Sequence, residues 1–73
     1  MDEFLDFAAT VLNVPSETLA PGTAYGDIPE WDSVMHLRLV MEVEARYGVS
    51  ISLEAIPSLK TLADFARAAG LAV

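Results

Sequence analysis

Apolar residues fall at helical spacing in three stretches of the chain. Over Asp2–Asn13, Phe4, Ala8, Val11 and Leu12 share one side of a helix, with Leu5 and Phe7 flanking them. Asp2, Glu3 and Asp6 suit the positive end of that helix dipole. Pro15 is the expected stop, since the preceding Val14 is biased toward extended geometry. The second stretch, Ser33–Tyr47, has neither Pro nor Gly inside it. Asp32 is its natural N-cap and Gly48 its natural C-cap. On a helical wheel Leu37, Leu39, Val40, Val43 and Tyr47 form one broad apolar face. Val34, Met41 and Ala45 form a second stripe beside the polar strip of Arg38, Glu42 and Arg46. That stripe exceeds what one core contact needs, so it is either more core or an exposed landing patch. The third helix is expected over Thr61–Ala69. Thr61 and Asp64 have capping-box spacing, Leu62, Phe65, Ala66 and Ala69 make the apolar face, and Gly70 ends it.

Two connections join these helices. Pro15–Asp32 holds Pro15, Pro21, Gly22, Gly26 and Pro29, the punctuation of turns. Ser16–Leu19 is compatible with one helical turn. A loop of this length is uncommon in a small domain and usually functional. Its apolar residues Leu19, Tyr25, Ile28 and Trp31 are expected to pin it to the helices. After the second helix, Val49–Ser52 reads as a short extended link and Ser52–Ile56 as one turn before Pro57. The expected architecture is all-α: a small bundle of three main helices and one short one, with a long first loop, in a single domain over residues 1–73.

Composition narrows the function. The chain has 73 residues, 53% of them apolar, and no cysteine. A chain this short buries only about 60% of the surface its unfolded form exposes. A hydrophobic core must hold it without disulfides, which leaves little room for a deep substrate cavity. An enzyme complete in itself is therefore not expected. The net charge of −7 argues against nucleic acid or anionic membrane as the main partner. All of that charge lies in the first half. Seven acids and no Lys or Arg occupy residues 1–32, whereas four acids balance four bases from Ser33 onward. Two readings remain open: solubility, or a field that attracts a basic partner or a metal-bound cofactor. The acidic start lacks the positive charge of a signal peptide, and no apolar run approaches the ~20 residues of a membrane span. A discrete cytoplasmic protein, monomeric, is the expectation.

Three kinds of chemistry deserve weighing. Asp32, Ser33 and His36 suggest a nucleophilic triad, but all three fall on one helix turn. A working triad needs a buried carboxylate behind the His and an oxyanion hole facing the Ser. His36 lies on the core-facing arc beside Leu39 and Val40 and reads better as a packed, hydrogen-bonded side chain. Asp27, Glu30 and Asp32 match no calcium-loop spacing, and one His without Cys makes no ordinary zinc site. Among Ser16, Ser33, Ser50, Ser52 and Ser58, most read as caps or turn residues. Ser33 differs because the long acidic loop meets the start of a helix there. Unpaired amides and the positive dipole end make such a position a favourable phosphate seat. Ser33 is thus either a second capping residue or the site of a phosphoester.

Trp31-Asp32-Ser33-Val34, followed by Leu37, Leu39-Val40-Met41, Glu44 and Tyr47-Gly48, resembles the Asp-Ser-Leu motif and second helix of acyl carrier proteins. Leu12-Asn13-Val14 and Glu17 are similar to the end of that family's first helix and the start of its loop. Ile51 and Leu53–Ile56 are similar to its short third helix, and Thr61-Leu62-Ala63-Asp64-Phe65 to the start of its fourth. The resemblance spans nearly the whole chain. It implies a four-helix carrier fold with no catalytic residues of its own. It also implies that Ser33 carries 4′-phosphopantetheine, transferred from coenzyme A by a phosphopantetheinyl transferase. Asp32 matches the motif acid and is implied to serve the transferase's magnesium. The arm's thiol would hold an acyl or aminoacyl group as a thioester, so the reactive sulfur is imported.

The departures point to particular partners. Val34 stands where the family usually has Leu. Arg38, Ala45 and Arg46 stand at positions that are commonly acidic, which leaves Glu42 and Glu44. The acidic face read by fatty-acid synthase enzymes is therefore weak. The Gly-Gly pair of peptidyl carriers is missing, and the Trp-Asp-Ser form looks like discrete carriers of polyketide or other specialised biosynthesis. The expected partner surface is Val34, Met41 and Ala45, flanked by Arg38 and Glu42, facing acyl-loading and acyl-processing enzymes. Two rivals are an unmodified helical interaction module that uses the same stripe and a small hydrolase centred on Ser33.

Overall fold

The computed structural model describes residues 1–71. The expected domain ran to Val73; Ala72 and Val73 lie outside the described residues. Three α-helices form: α1 (Asp2–Leu12), α2 (Ser33–Tyr47) and α3 (Leu62–Ala68). Short 3₁₀ segments cover Ser16–Thr18 and Leu53–Ser58. Among the described residues there is no strand, only an isolated antiparallel bridge between Ala24 and Thr61. The all-α bundle with a long first loop is therefore present.

The end of α1 differs in cause from expectation. Asn13 adopts the left-handed conformation (φ 60°), its amide donates to Thr10 O, and the Val14 amide donates to Ala9 O at 3.0 Å. These two bonds close a Schellman motif and satisfy carbonyls that the helix end would leave open. The helix is thus finished before Pro15 is reached. The buried face of α1 is Phe4, Ala8, Ala9 and Leu12, and Val11 is only half-buried. Its core side is rotated toward Ala9 from the face expected.

Helix α2 has the expected bounds, and Leu39, Val40 and Val43 are buried along it. Tyr47 is half-buried between the Phe4 and Phe7 rings, each with its centroid 5.8 Å away. Leu37 is a correction, since it is 52% exposed. It lies roughly 100° from the centre of the buried face on a wheel of 100° per residue, too far round to be covered. Val34, Met41 and Ala45 are exposed, so the second stripe is a surface patch and not additional core.

Backbone bonds, and not side chains alone, hold the long loop. The Tyr25 amide donates to Lys60 O at 2.7 Å, the Leu62 amide to Thr23 O at 3.0 Å and the Ala63 amide to Pro21 O at 2.9 Å. The loop is zipped to the start of α3. Leu19 and Trp31 are buried and Ile28 is half-buried, as expected, but Tyr25 is 47% exposed. It covers the His36 ring instead of entering the core, with centroids 4.9 Å apart.

The turn before α3 runs through Pro57. The Ala55 amide donates to Ser52 O and the Leu59 amide to Ile56 O, both at 3.0 Å. Pro57 takes the second position of the latter turn, where no amide is needed and its fixed φ is favourable. Helix α3 then opens with a full capping box between Thr61 and Asp64. The Asp64 carboxylate is held below the usual range, chiefly by the Thr61 amide and next by the Lys60 amide, which outweigh the opposing effect of burial; the Arg67 and Thr61 side chains add smaller contributions. The buried residues of all three helices and the loop make one cluster, in which Trp31, Phe4 and Phe65 are the largest fully buried side chains. Burying a side chain such as Phe contributes about 1.5–3 kcal/mol.

Candidate functional site

Trp31, buried to 1% exposure, anchors the end of the loop in the core. The chain turns at Asp32, whose extended backbone (φ −97°, ψ −174°) breaks the helix, and whose Oδ1 accepts from the Met35 amide at 2.9 Å. Ser33 is therefore the first residue of α2 and is exposed. Its amide and that of Val34 donate to no group among the described residues, and neither does its hydroxyl. Ser58 differs, because its hydroxyl is spent on Ala55 O at 2.7 Å.

Ser33 stands at the rim of a cleft of about 610 Å³ between α2, the Tyr25 turn and the second 3₁₀ segment. Leu37, Ile56 and Pro57 supply apolar wall; Tyr25, His36 and Lys60 supply the polar groups. Among the described residues Lys60 is the only charged one lining it. Sequence reasoning did not assign Tyr25, Ile56 and Lys60 to the site. No local pattern links residues so far apart. A spacing signal did exist for Leu37, which stands three residues after Val34 and four before Met41.

Asp32, Ser33 and His36 share the start of α2 but do not act as a triad. The Asp32 oxygen is engaged with a backbone amide. The His36 Nδ1 accepts from the Trp31 indole N–H at 3.1 Å. The packed, hydrogen-bonded reading of His36 is the one observed. Asp27, weighed as a metal ligand, accepts from the Ala24 amide at 2.8 Å and so serves a turn.

The outer face of α2 forms a second, shallower hollow of about 420 Å³, lined by Val34, Leu37, Arg38, Met41 and Glu42. Val34 is 71% and Met41 67% exposed. Arg38 and Glu42 form an exposed pair at 3.9 Å across its edge. Ala45 is exposed on the same helix, one turn beyond Met41.

The donor set among the described residues suits a phosphoester-linked arm: an unengaged hydroxyl, helix amides without partners beside it, and an apolar cleft lined by Lys60. No curated protein and no solved structure matches the chain. A family model described as "Phosphopantetheine attachment site" matches residues 2–69. With that match over nearly its whole length, and with this free serine at the head of a capped helix, the chain belongs to the acyl-carrier-like phosphopantetheine attachment family, whose domain binds 4′-phosphopantetheine covalently.

Proposed function

We propose that this chain is an acyl carrier, non-catalytic in itself, that receives its arm at Ser33. The observation that supports this most is the Ser33 hydroxyl, exposed and unengaged at the first position of α2 within the family match. In the loading step the Ser33 Oγ bonds to the pantetheine-side phosphorus of coenzyme A. The pyrophosphate bond breaks and adenosine 3′,5′-bisphosphate leaves. The hydroxyl proton passes to the phosphopantetheinyl transferase. Asp32 caps the helix through Oδ1, which leaves Oδ2 for the transferase's magnesium. Once attached, the arm supplies a thiol that holds an acyl or aminoacyl group as a thioester.

The pathway we favour is polyketide or other specialised biosynthesis. The Trp31-Asp32-Ser33 form and the absence of a Gly-Gly pair before Ser33 support it. So does the nearly neutral outer face of α2. Val34, Leu37, Met41 and Ala45, flanked by Arg38 and Glu42, are the surface offered to loading and processing enzymes. A cytoplasmic monomer fits such a shuttle; among the described residues no helix is long and apolar enough to cross a membrane.

Incubation with coenzyme A and a transferase, followed by intact-mass measurement and peptide mapping, tests the reading. The expected result is one added phosphopantetheine, on the peptide containing Ser33. Label on Ser16, Ser50, Ser52 or Ser58 would contradict the site. The exposed Val34–Met41 patch also favours a second reading, an unmodified interaction module, and a chain that gains no mass would select it.

A further inference from the structure

Beside Ser33 three rings pack around one imidazole. His36 lies with ring centroids 4.9 Å from Tyr25, 5.4 Å from Phe65 and 5.9 Å from Trp31. The Trp31 indole N–H donates to His36 Nδ1 at 3.1 Å. An indole nitrogen only donates, so Nδ1 must present its lone pair, and the neutral ring carries its hydrogen on Nε2. Packing fixes the plane of the ring and Trp31 fixes its tautomer. No described residue bonds to Nε2, yet no buried side-chain nitrogen or oxygen lacks a partner among the described residues. The Nε2–H is therefore not fully buried, on a residue that lines the cleft.

Its place along α2 relates it to Ser33. Residues three apart on a helix are surface neighbours, with Cβ atoms about 5–6 Å apart. Besides Ser33, three residues that line the cleft have side chains able to donate, His36, Tyr25 and Lys60. Leu37, Ile56 and Pro57 give the apolar remainder. A ligand that fits this set is rich in acceptor oxygens and carries methyl groups. The proximal half of a phosphopantetheine arm has that chemistry: a phosphodiester, a hydroxyl, an amide carbonyl and a gem-dimethyl carbon.

We propose that His36 is a positioning residue for the prosthetic arm, its Nε2–H donating to an oxygen of the arm's proximal half within the cleft beside Ser33. This rests on the reading that Ser33 carries the arm. It makes Trp31, at the end of the long loop, the residue that orients the donor, and so connects the loop to the position of the arm.

The chain has one His and one Trp, so the ring signals of each are assigned without ambiguity. Apo protein is converted to the loaded form with coenzyme A and transferase, and intact mass confirms loading. The ¹⁵N signals of His36 Nε2 and the Trp31 indole are expected to shift on loading. Nuclear Overhauser contacts are expected from the arm's gem-dimethyl group to the His36 and Tyr25 rings. His36→Phe keeps a ring without the donor, and His36→Gln keeps both an acceptor and a donor. With folding checked by the dispersion of each apo spectrum, the arm contacts to Tyr25 should be lost in His36→Phe and retained in His36→Gln. A chain that loads at Ser33 while His36 and Trp31 stay unshifted and no arm contact appears overturns the positioning role and leaves the carrier reading standing. Contacts to Tyr25 that persist in full in His36→Phe also overturn it. A chain that never gains the mass overturns the carrier reading and this inference with it.

Discussion

At the start of α3 the first three amides all have partners inside the protein. Leu62 donates to Thr23 O, Ala63 to Pro21 O and Asp64 to the Thr61 hydroxyl. Asp64 returns the bond to the Thr61 amide and also accepts from Lys60. At the start of α2 Met35 is served by Asp32, and among the described residues the amides of Ser33 and Val34 have no partner. Both helices begin with a side-chain cap. The α3 cap is closed over by the loop, whereas the α2 cap stands clear of it.

Open helix amides leave local stability on the table, and an exposed serine adds none. The α3 start uses its donors to hold the loop, which in turn seats Trp31 and Tyr25. The α2 start keeps its donors and the Ser33 hydroxyl available for something that arrives from outside. One end maintains the fold and the other presents a group.

Substitutions can break or sharpen that contrast. Ser33→Ala has the largest expected effect on modification, a complete loss of loading by intact mass. Its effect on stability should stay within about 0.5 kcal/mol in a denaturant melt, as for an ordinary surface change. A strongly destabilised Ser33→Ala protein, or one that still loads, would erase the distinction. The same pairing can be tested with apolar residues near each helix start. Leu62, fully buried at the first position of α3, should cost about 2–5 kcal/mol as Leu62→Ala. That is most of what a domain of this size has. Val34, 71% exposed at the second position of α2, should cost no more than about 0.5 kcal/mol as Val34→Ala.

Smaller effects follow at the caps. Asp32→Ala and Thr61→Ala should each lose about 0.5–2 kcal/mol, and only Asp32→Ala should also slow loading. Equal loading rates in the two variants would remove any role for Asp32 beyond capping. The α3 cap also has a pH signature. The folded Asp64 carboxyl lies below its ordinary value because the Thr61 and Lys60 amides donate to it. Its stabilisation is therefore complete above the unfolded carboxyl's pKa of about 3.9 and is lost as pH falls through the lower folded value. The stability gap between wild type and Asp64→Asn should be flat from neutral pH down to about 5 and should close below that window. A gap that persists at the acid end would mean that the carboxylate's charge is not what matters there.

The smallest effect on stability belongs to the outer face of α2. Arg38 and Glu42 are exposed, and such pairs contribute about 0–1 kcal/mol. Arg38→Glu should leave the melt nearly unchanged while weakening or redirecting a partner enzyme. Because this face is nearly neutral, docking should depend only shallowly on ionic strength. Unchanged kinetics with every partner would remove the face from recognition, and a steep salt dependence would move attention to the acidic loop.

Local rules carried the sequence far at both helix starts. Asp32, Gly48, Thr61 and Asp64 marked α2 and the α3 cap because capping chemistry is complete within one turn of chain. Ser33 was legible for the same reason, as a serine placed directly after a cap. Periodicity found the core faces of α2 and α3 but misplaced Leu37, because a wheel gives the centre of a face and not the width its neighbours will cover. The end of α1 and the passage through Pro57 were decided by backbone bonds in which any residue able to adopt the conformation could stand. The cleft beside Ser33 belonged to tertiary structure alone. Tyr25, His36, Ile56 and Lys60 come from three separate segments, and they meet because the loop pairs its backbone with the start of α3 and buries Trp31 against His36. Contacts between distant segments depend on how whole elements pack, and a pattern read along the chain does not contain that information.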